Sequence, residues 1–266
     1  MSEERPACAR VAAVWDRVVK DFFRGHDLLP EPLDRWFESY DGTGLGRVRK
    51  DAMPEPYGGS LLRGEPRAVF LSLNPGRPYL EFQGRDGAFA KEILGSSFDE
   101  FAAKPFVLRE DWRREIGRNP YYEARVAFMR RWYDDEDLPV SAVRTFDLYP
   151  WHSERVTAAF KPDPAIIQDF IWEPIQELGG PPVFAFGKAW LDLLPKLGLE
   201  VVDRLGKGGR DYGSRVPSRS VLLLRGPTGG LVVAEKHSGS AGPPAADEVE
   251  RLKEEVAAHP PSPSAA

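Results

Sequence analysis

An asparagine, a proline and a glycine follow directly on an apolar run at residues 68–73, in the stretch AVFLSLNPGRPY. Such a run is typical of a strand that is buried on both faces. An amide fixed at the end of that strand can hold a water molecule but is a poor base, so Asn74 would position a nucleophile. Pro75 would stiffen the turn and Gly76 would leave space beside it. An ordinary turn is the alternative, because all three residue types favour turns.

A histidine follows a second apolar run in the same way, because LVVAEK (231–236) leads into HSGSAG. The imidazole of His237 can donate a hydrogen bond to an oxygen on which negative charge develops. A held water and such a donor suit hydrolysis of a base from deoxyribose, in which the sugar becomes oxocarbenium-like and the base departs with negative charge. This chemistry requires no metal and no cofactor. A structural histidine is the alternative for His237. We expect its strand end to be adjacent to that of Asn74, which favours the functional role.

Further candidates lie near these strand ends. Asp147 ends the β-like stretch AVRTFDLYP, and an ionised carboxylate at this position would only accept hydrogen bonds. Pairing with one of the many arginines is the alternative. Asp86, in the loop QGRDGAF, is a candidate general base or water partner, or else a surface residue. Three aromatic side chains could stack on an extruded base or simply belong to the core: Tyr79, Phe82 and Phe89.

Contacts to DNA phosphates are expected from small and basic residues. Backbone amides can approach a phosphate closely where side chains are small, which predicts a clamp formed by Ser238, Gly239 and Ser240. Ala241 or Pro243 is the candidate for a wedge that takes the place of an extruded base. Gly76 is a further candidate for contact with the DNA. Lys188, Lys207 and Arg210 could add charge contacts, and a solvated surface is the alternative for them.

The elements that must position these residues alternate along the chain. Helical periodicity is seen at 11–23, 30–40, 164–178, 188–197 and 245–258, and β-like runs at 68–73, 142–150, 182–187, 220–226 and 231–236. Apolar strands separated by helices indicate a parallel sheet covered on both sides. We therefore expect a three-layer α/β/α sandwich with a central, mainly parallel four-stranded sheet. In such a sheet, ligands bind at the carboxyl ends of the strands.

We expect a single domain over residues 1–258, with a helical N-terminal segment (about 1–45) and a helical insertion (about 86–140), followed by a disordered tail at 259–266. The 266 residues carry a formal net charge of −5 and one cysteine, Cys8, which excludes a disulfide framework and a cysteine-based metal site. The N-terminus lacks the apolar stretch of a signal peptide, and no apolar run is long enough to span a bilayer. These features predict a cytoplasmic monomer with no membrane contact.

The segments LNPGRPY, FDLYPWHS, FGKAW and AEKHSGSAGPP, taken in this order, resemble the strand ends of the uracil-DNA glycosylase superfamily over roughly residues 65–245. The resemblance implies that Asn74 holds the attacking water, that His237 stabilises the departing base, and that Asp147 reads the flipped base where the family usually has Asn. It implies a metal-independent, monofunctional glycosylase that binds double- or single-stranded DNA and leaves an abasic site.

The acceptor at Asp147 favours a cytosine marked at C5 as the excised base. This is similar to the anti-phage branch of the superfamily, which excises α-glucosylated hydroxymethylcytosine from phage DNA. Two alternatives stay open: a uracil or mismatch glycosylase of base-excision repair, and a non-catalytic nucleic-acid binding module. The motifs of a phosphate-binding loop and of a serine hydrolase are absent from the sequence.

Overall fold

The computed structural model describes residues 5–157, 160–226, 230–236 and 242–259. Its α-helices are α1 Pro6–Phe23, α2 Leu33–Glu38, α3 Leu80–Gln83, α4 Phe89–Gly95, α5 Phe98–Ala102, α6 Glu110–Glu115, α7 Pro120–Tyr133, α8 Pro164–Ile167, α9 Glu173–Gln176, α10 Lys188–Leu193 and α11 Ala246–Ala257. Its strands are β1 Tyr57–Gly58, β2 Ala68–Ser72, β3 Val143–Asp147, β4 Val183–Phe186, β5 Glu200–Gly206, β6 Ser220–Arg225 and β7 Leu231–Lys236. A π-helical turn, Gln168–Trp172, joins α8 to α9.

The fold is mixed α/β, with one open sheet in the order β1-β3-β2-β4-β7-β6-β5. β2 and β4 run parallel with Phe70 opposite Phe184, and β4 and β7 run parallel with Ala185 opposite Ala234. β6 is antiparallel to both β7 and β5, and β1 is antiparallel to β3. Only residues 226–230 separate β6 from β7, which is too short for the crossover that a parallel pair requires. The sheet is therefore mixed.

The sheet has seven strands, not the predicted four. β1 has two residues, too few to produce a periodic pattern. β5 reads EVVDRLG and only Leu205 is buried in it, so its sequence lacks the apolar run that identifies an inner strand. Neither strand has a strong β pattern in its own sequence, and each is held in place by pairing with a neighbouring strand.

The strands that precede Asn74 and His237 are not adjacent. β4 lies between β2 and β7, and all three are parallel. Their carboxyl ends consequently lie at the same edge of the sheet, with the ends of β2 and β7 about 10 Å apart at ordinary strand spacing. The sequence led us to expect neighbouring strand ends, and this expectation is corrected by the position of β4.

The chain divides into two compact units. Unit 1 comprises Met1–Glu65, Ser72–Lys104 and Arg144–Leu178, and unit 2 comprises Pro66–Leu71, Pro105–Val143 and Gly179–Ala266. The predicted single domain over 1–258 stays a prediction. The predicted helical segment at 86–140 contains α4, α5, α6 and α7. No helix in the described part of the chain is both long and apolar enough to cross a bilayer.

An aromatic cluster forms the core of unit 1 around Trp15 of α1. The indole of Trp15 makes edge contacts with Trp36 at 6.1 Å and with Trp151 at 5.9 Å between ring centroids. Trp36 and Trp151 also meet at 5.9 Å. Buried residues recur on one face of α1 at helical spacing, which is why the sequence predicts this helix correctly. The cluster attaches α1, α2 and the segment after β3 to one another.

A distant carboxylate caps the first turn of α1. Glu177 accepts hydrogen bonds from the backbone amides of Ala7 and Cys8, each at 2.8 Å. Arg5, at the N-cap position, supplies no side-chain cap. Glu177 therefore satisfies two amides that have no partner within the helix. Burial and the nearby Glu177 carboxylate raise the pKa of the Cys8 thiol to about 12.

The core of unit 2 lies on the parallel strands. Phe70 of β2 packs against Phe128 of α7 at 5.8 Å and against Phe184 of β4 at 5.7 Å between ring centroids. All three rings are buried. Leucines and valines of β6, β7 and α11 continue this cluster.

Replacing the capping carboxylate tests its contribution to stability. Glu177→Ala leaves two amides at the start of α1 without an acceptor, and the free energy of unfolding should fall by about 1–3 kcal/mol. Glu173→Ala is the matched control, because its half-exposed ion pair with Arg10 contributes less than about 1 kcal/mol. Chemical denaturation of the three proteins measures the difference. Equal stability of the two variants would show that the cap contributes nothing beyond a surface contact.

Candidate active site

The turn after β2 is held by the segment that follows β3. The backbone amides of Leu148 and Tyr149 donate to the carbonyls of Ser72 and Leu73 at 3.0 and 2.9 Å. This pairing continues beyond the ends of the strands, so it brings residues 72–76 and 148–153 of unit 1 together. The candidate site is formed where these two segments meet.

Asn74 is fixed by its amide nitrogen. Its Nδ2 donates to the carbonyl oxygen of Ser153 at 2.8 Å and contacts Ser153 Oγ at 3.1 Å. Because a backbone carbonyl only accepts, this contact determines which way the amide faces. No described residue donates a hydrogen bond to Oδ1 of Asn74, whose side chain is half-buried. The free oxygen is thus oriented as an acceptor and can hold a water molecule.

His152 holds the other end of the same turn. Its Nδ1 lies 3.0 Å from the carbonyl oxygen of Gly76, and the ring is only 1% exposed. Gly76 has a φ of +85°, and no atom of the described residues lies within 4 Å of the place where a Cβ would be. A side chain at this position would strain the backbone, so glycine is required by the turn and also leaves room beside Asn74.

A carboxylate and an amide complete the polar network. Nε2 of His152 faces Oε1 of Glu55 at 3.4 Å. Gln83 Nε2 donates to the same Glu55 oxygen, and Gln83 Oε1 accepts from the backbone amide of Tyr79 at 2.6 Å. The backbone amide of Glu55 in turn donates to Pro150 at 2.8 Å. Three separate parts of unit 1 are connected through these groups.

Two charged side chains near His152, those of Arg49 and Asp51, come from the segment that precedes β1. The backbone amide of Arg49 donates to the carbonyl of His152 at 2.8 Å, and its guanidinium makes a two-pronged pair with Asp51. The pKa of Asp51 lies below its ordinary value, chiefly because Arg49 donates to it, with a smaller contribution from His152. Asp51 is therefore ionised beside the network.

A cavity of about 830 Å³ lies next to the network in unit 1. It is lined by Phe37, Glu38, Tyr40, Asp41, Gly42, Gly44, Leu45, Arg47, Val48, Arg49, Lys50, Asp51, Pro78 and Glu154. Four of these side chains are acidic and three are basic. The volume falls within the range of ligand pockets, and the mixture of charges suits a polar ligand better than a polyanion.

The predicted base-binding residues occupy different environments. Asp147 is half-exposed at the end of β3, and its backbone amide donates to Pro56 at 3.2 Å. Tyr79 is half-buried at the start of α3. Phe82 and Phe89 are 3% and 1% exposed, with ring centroids 5.4 Å apart. These two rings occupy core positions, the alternative that the sequence left open.

Asp86 is exposed in the loop between α3 and α4. It is not part of the Glu55–His152 network. His237 and the predicted phosphate clamp, Ser238, Gly239, Ser240 and Ala241, lie outside the described residues. Their roles stay predictions.

The predicted basic contacts lie on the surface of unit 2. Lys188 is exposed and pairs with Asp192 at 3.2 Å within α10. Arg210 pairs with Asp203 at 2.7 Å and with Glu255 of α11, and both carboxylates raise its pKa. Lys207 is exposed, and no described side chain pairs with it. Lys207 is consequently better placed than Arg210 to meet a phosphate.

No sequence pattern marks three members of the network, Glu55, Gln83 and Ser153, whereas His152 is a candidate for the rim of a pocket or for a packed corner. Glu55 stands between two prolines in MPEPYGG, and His152 and Ser153 end the stretch FDLYPWHS. The latter stretch was recognised as a strand end, but nothing in it showed which way the side chains face. Glu55 and Gln83 are brought to the site by tertiary contacts alone.

Comparison with protein families finds no family model that matches the chain. Comparison with curated proteins also finds no match. Among the described residues, no group of three or more histidine, cysteine, aspartate or glutamate side chains is arranged to hold a metal ion. The functional interpretation therefore depends on the side-chain geometry of the site.

Lys207 and Arg210 are expected to respond differently to truncation. Arg210→Ala removes a guanidinium from two carboxylates that connect β5 to α11, so the midpoint of chemical denaturation should fall. Lys207→Ala breaks no described ion pair and should change the free energy of unfolding by less than about 0.5 kcal/mol. On DNA, Lys207→Ala should reduce the salt dependence of binding. An unchanged salt dependence would indicate that Lys207 is remote from the DNA.

Proposed function

We propose that the chain is a monofunctional DNA glycosylase that hydrolyses the N-glycosidic bond of a modified pyrimidine and leaves an abasic site. The single observation that carries the proposal is the orientation of Asn74. Its amide nitrogen is engaged by Ser153, and its oxygen has no described donor. A fixed acceptor of this kind holds and orients a water without removing its proton.

An oriented water suits this reaction because the transition state is dissociative. The sugar develops oxocarbenium character before the water bonds to it, so the water needs correct placement more than strong activation. Open space beside Gly76 gives the sugar room to approach Asn74. In the proposal, His237 donates to the departing base on which negative charge grows.

The arrangement of the parallel strands supports the same proposal. β2, β4 and β7 end at one edge of the sheet, where ligands bind in α/β folds. The proposal includes a three-layer α/β/α sandwich, a monomer that acts in the cytoplasm, and DNA as the partner. Lys207 would add a phosphate contact. No cofactor enters the reaction.

The proposed substrate is a cytosine that carries a substituent at C5, with phage DNA as its source. Asp147 is half-exposed at the end of β3, and its ionised carboxylate would repel the O4 carbonyl of uracil in a desolvated pocket. Cytosine presents a donor at that position. Ordinary cytosine cannot be the substrate, because its removal would destroy the host genome.

Asn74→Ala tests the role of the held water. Base release should fall at least about 10²-fold, because the water loses its placement, while DNA binding stays intact. Asn119→Ala is the matched control: it is the other asparagine of the chain, it also precedes a proline, and it caps α7 by accepting from Tyr122 at 3.0 Å. Alkali-labile sites measure base release. Full activity of Asn74→Ala would refute the assignment.

Comparing substrates tests the identity of the base. The protein should release the base from DNA with glucosylated hydroxymethylcytosine, and not from plain or uracil-containing DNA. Asp147→Asn should shift activity towards uracil, because an amide can donate to O4. Efficient uracil release by the unchanged protein, without activity on the modified DNA, would instead support the repair alternative. Binding without release from any DNA would indicate a non-catalytic module.

A further inference from the structure

The turn at residues 74–76 is held at both ends by two consecutive residues. Ser153 accepts from the amide of Asn74 at 2.8 Å, and His152 contacts the carbonyl of Gly76 at 3.0 Å. Since the carbonyl only accepts, Nδ1 of His152 must carry a proton. His152 and Ser153 therefore hold the turn that carries Asn74 from its two ends.

The other ring nitrogen of His152 has one described neighbour. Nε2 lies 3.4 Å from Oε1 of Glu55 and makes no other described contact, although the ring is 1% exposed. A lone pair facing a carboxylate in this environment would be unfavourable. A proton on Nε2 would turn this contact into a charge-assisted hydrogen bond.

Glu55 is itself well positioned for this role. Gln83 donates to it from α3, and its own backbone amide donates to Pro150 at 2.8 Å. Its carboxylate is mostly buried, with 17% of the side chain exposed. Gln83 and Pro150 thus hold Glu55 in place independently of its contact with His152.

We infer that Glu55 is a positioning residue, which contacts Nε2 of His152 and through this ring fixes the turn that orients Asn74. The consequence for the reaction rests on the proposed function, whereas the consequence for the orientation of Asn74 does not. The charged groups that face the pair are Asp51 and Arg49, which neutralise each other in a two-pronged ion pair.

The orientation of Asn74 can be observed directly by nuclear magnetic resonance. The chain contains two asparagines, so asparagine-selective ¹⁵N labelling gives two side-chain amide pairs, and Asn119→Ala assigns them. Glu55→Gln keeps the shape of residue 55 but removes its charge and does not touch Asn74. It should shift the Asn74 amide signals. Glu81→Gln, an exposed position on α3, should leave them unchanged.

Substitution of His152 separates positioning from general packing. His152→Asn retains a donor at the place of Nδ1 and should preserve the Asn74 signals better than His152→Ala. On modified DNA, Glu55→Gln should lower kcat about tenfold to a hundredfold with little change in KM, because placement of the water is lost and substrate binding is not. Glu81→Gln should retain full activity.

Failure of this inference differs from failure of the proposed function. Unchanged Asn74 signals and unchanged kcat in Glu55→Gln would overturn the positioning role, even if the unchanged protein releases bases. Shifted Asn74 signals in Glu55→Gln, with unchanged signals in Glu81→Gln, would support the inference, even if the unchanged protein releases no base from any DNA. In that second case only the proposed reaction would be refuted.

Discussion

Hydrogen bonding between residues 72–76 and 148–153 is the interaction on which the candidate site depends. Two backbone bonds, from Leu148 and Tyr149, set the register, and the side chains that follow hold the turn. Without this register, Ser153 would not meet Asn74 and His152 would not meet Gly76. The site is therefore an extension of strand pairing past the strand ends, where the hydrogen-bonding groups of the backbone are replaced by those of side chains.

The aromatic core of unit 1 keeps this register in place. Trp151 belongs to the segment 148–153 and packs against Trp15 of α1 and Trp36 of α2. These two helices therefore support the segment. Tyr149 of the same segment donates to the carbonyl of Phe37 at 2.9 Å. Large buried rings allow little movement in a close-packed interior. The polar network can be accurate because its supporting segment is anchored in the core.

In unit 2, basic side chains form ion pairs with carboxylates of the same unit. Arg219 is buried with Glu235 and Glu248, and Arg210 is held by Asp203 and Glu255. Residues 204–225 contain six basic side chains, and two of them, Arg210 and Arg219, are thus paired within the protein. Any attraction to DNA depends on the exposed cations that remain, such as Lys207, which agrees with a net charge of −5.

The sequence by itself determined the mixed α/β class, the buried strands β2, β4, β6 and β7, and Asn74 at the end of β2, because apolar runs and turn residues are local signals. It did not determine the number of strands, since β1 and β5 form only through their neighbours. Glu55 reaches His152, and Gln83 reaches Glu55, from distant parts of the chain. No local pattern marks such residues, because their contacts arise only when the segments pack. The tertiary structure alone decided which polar groups surround Asn74 and which way its amide faces.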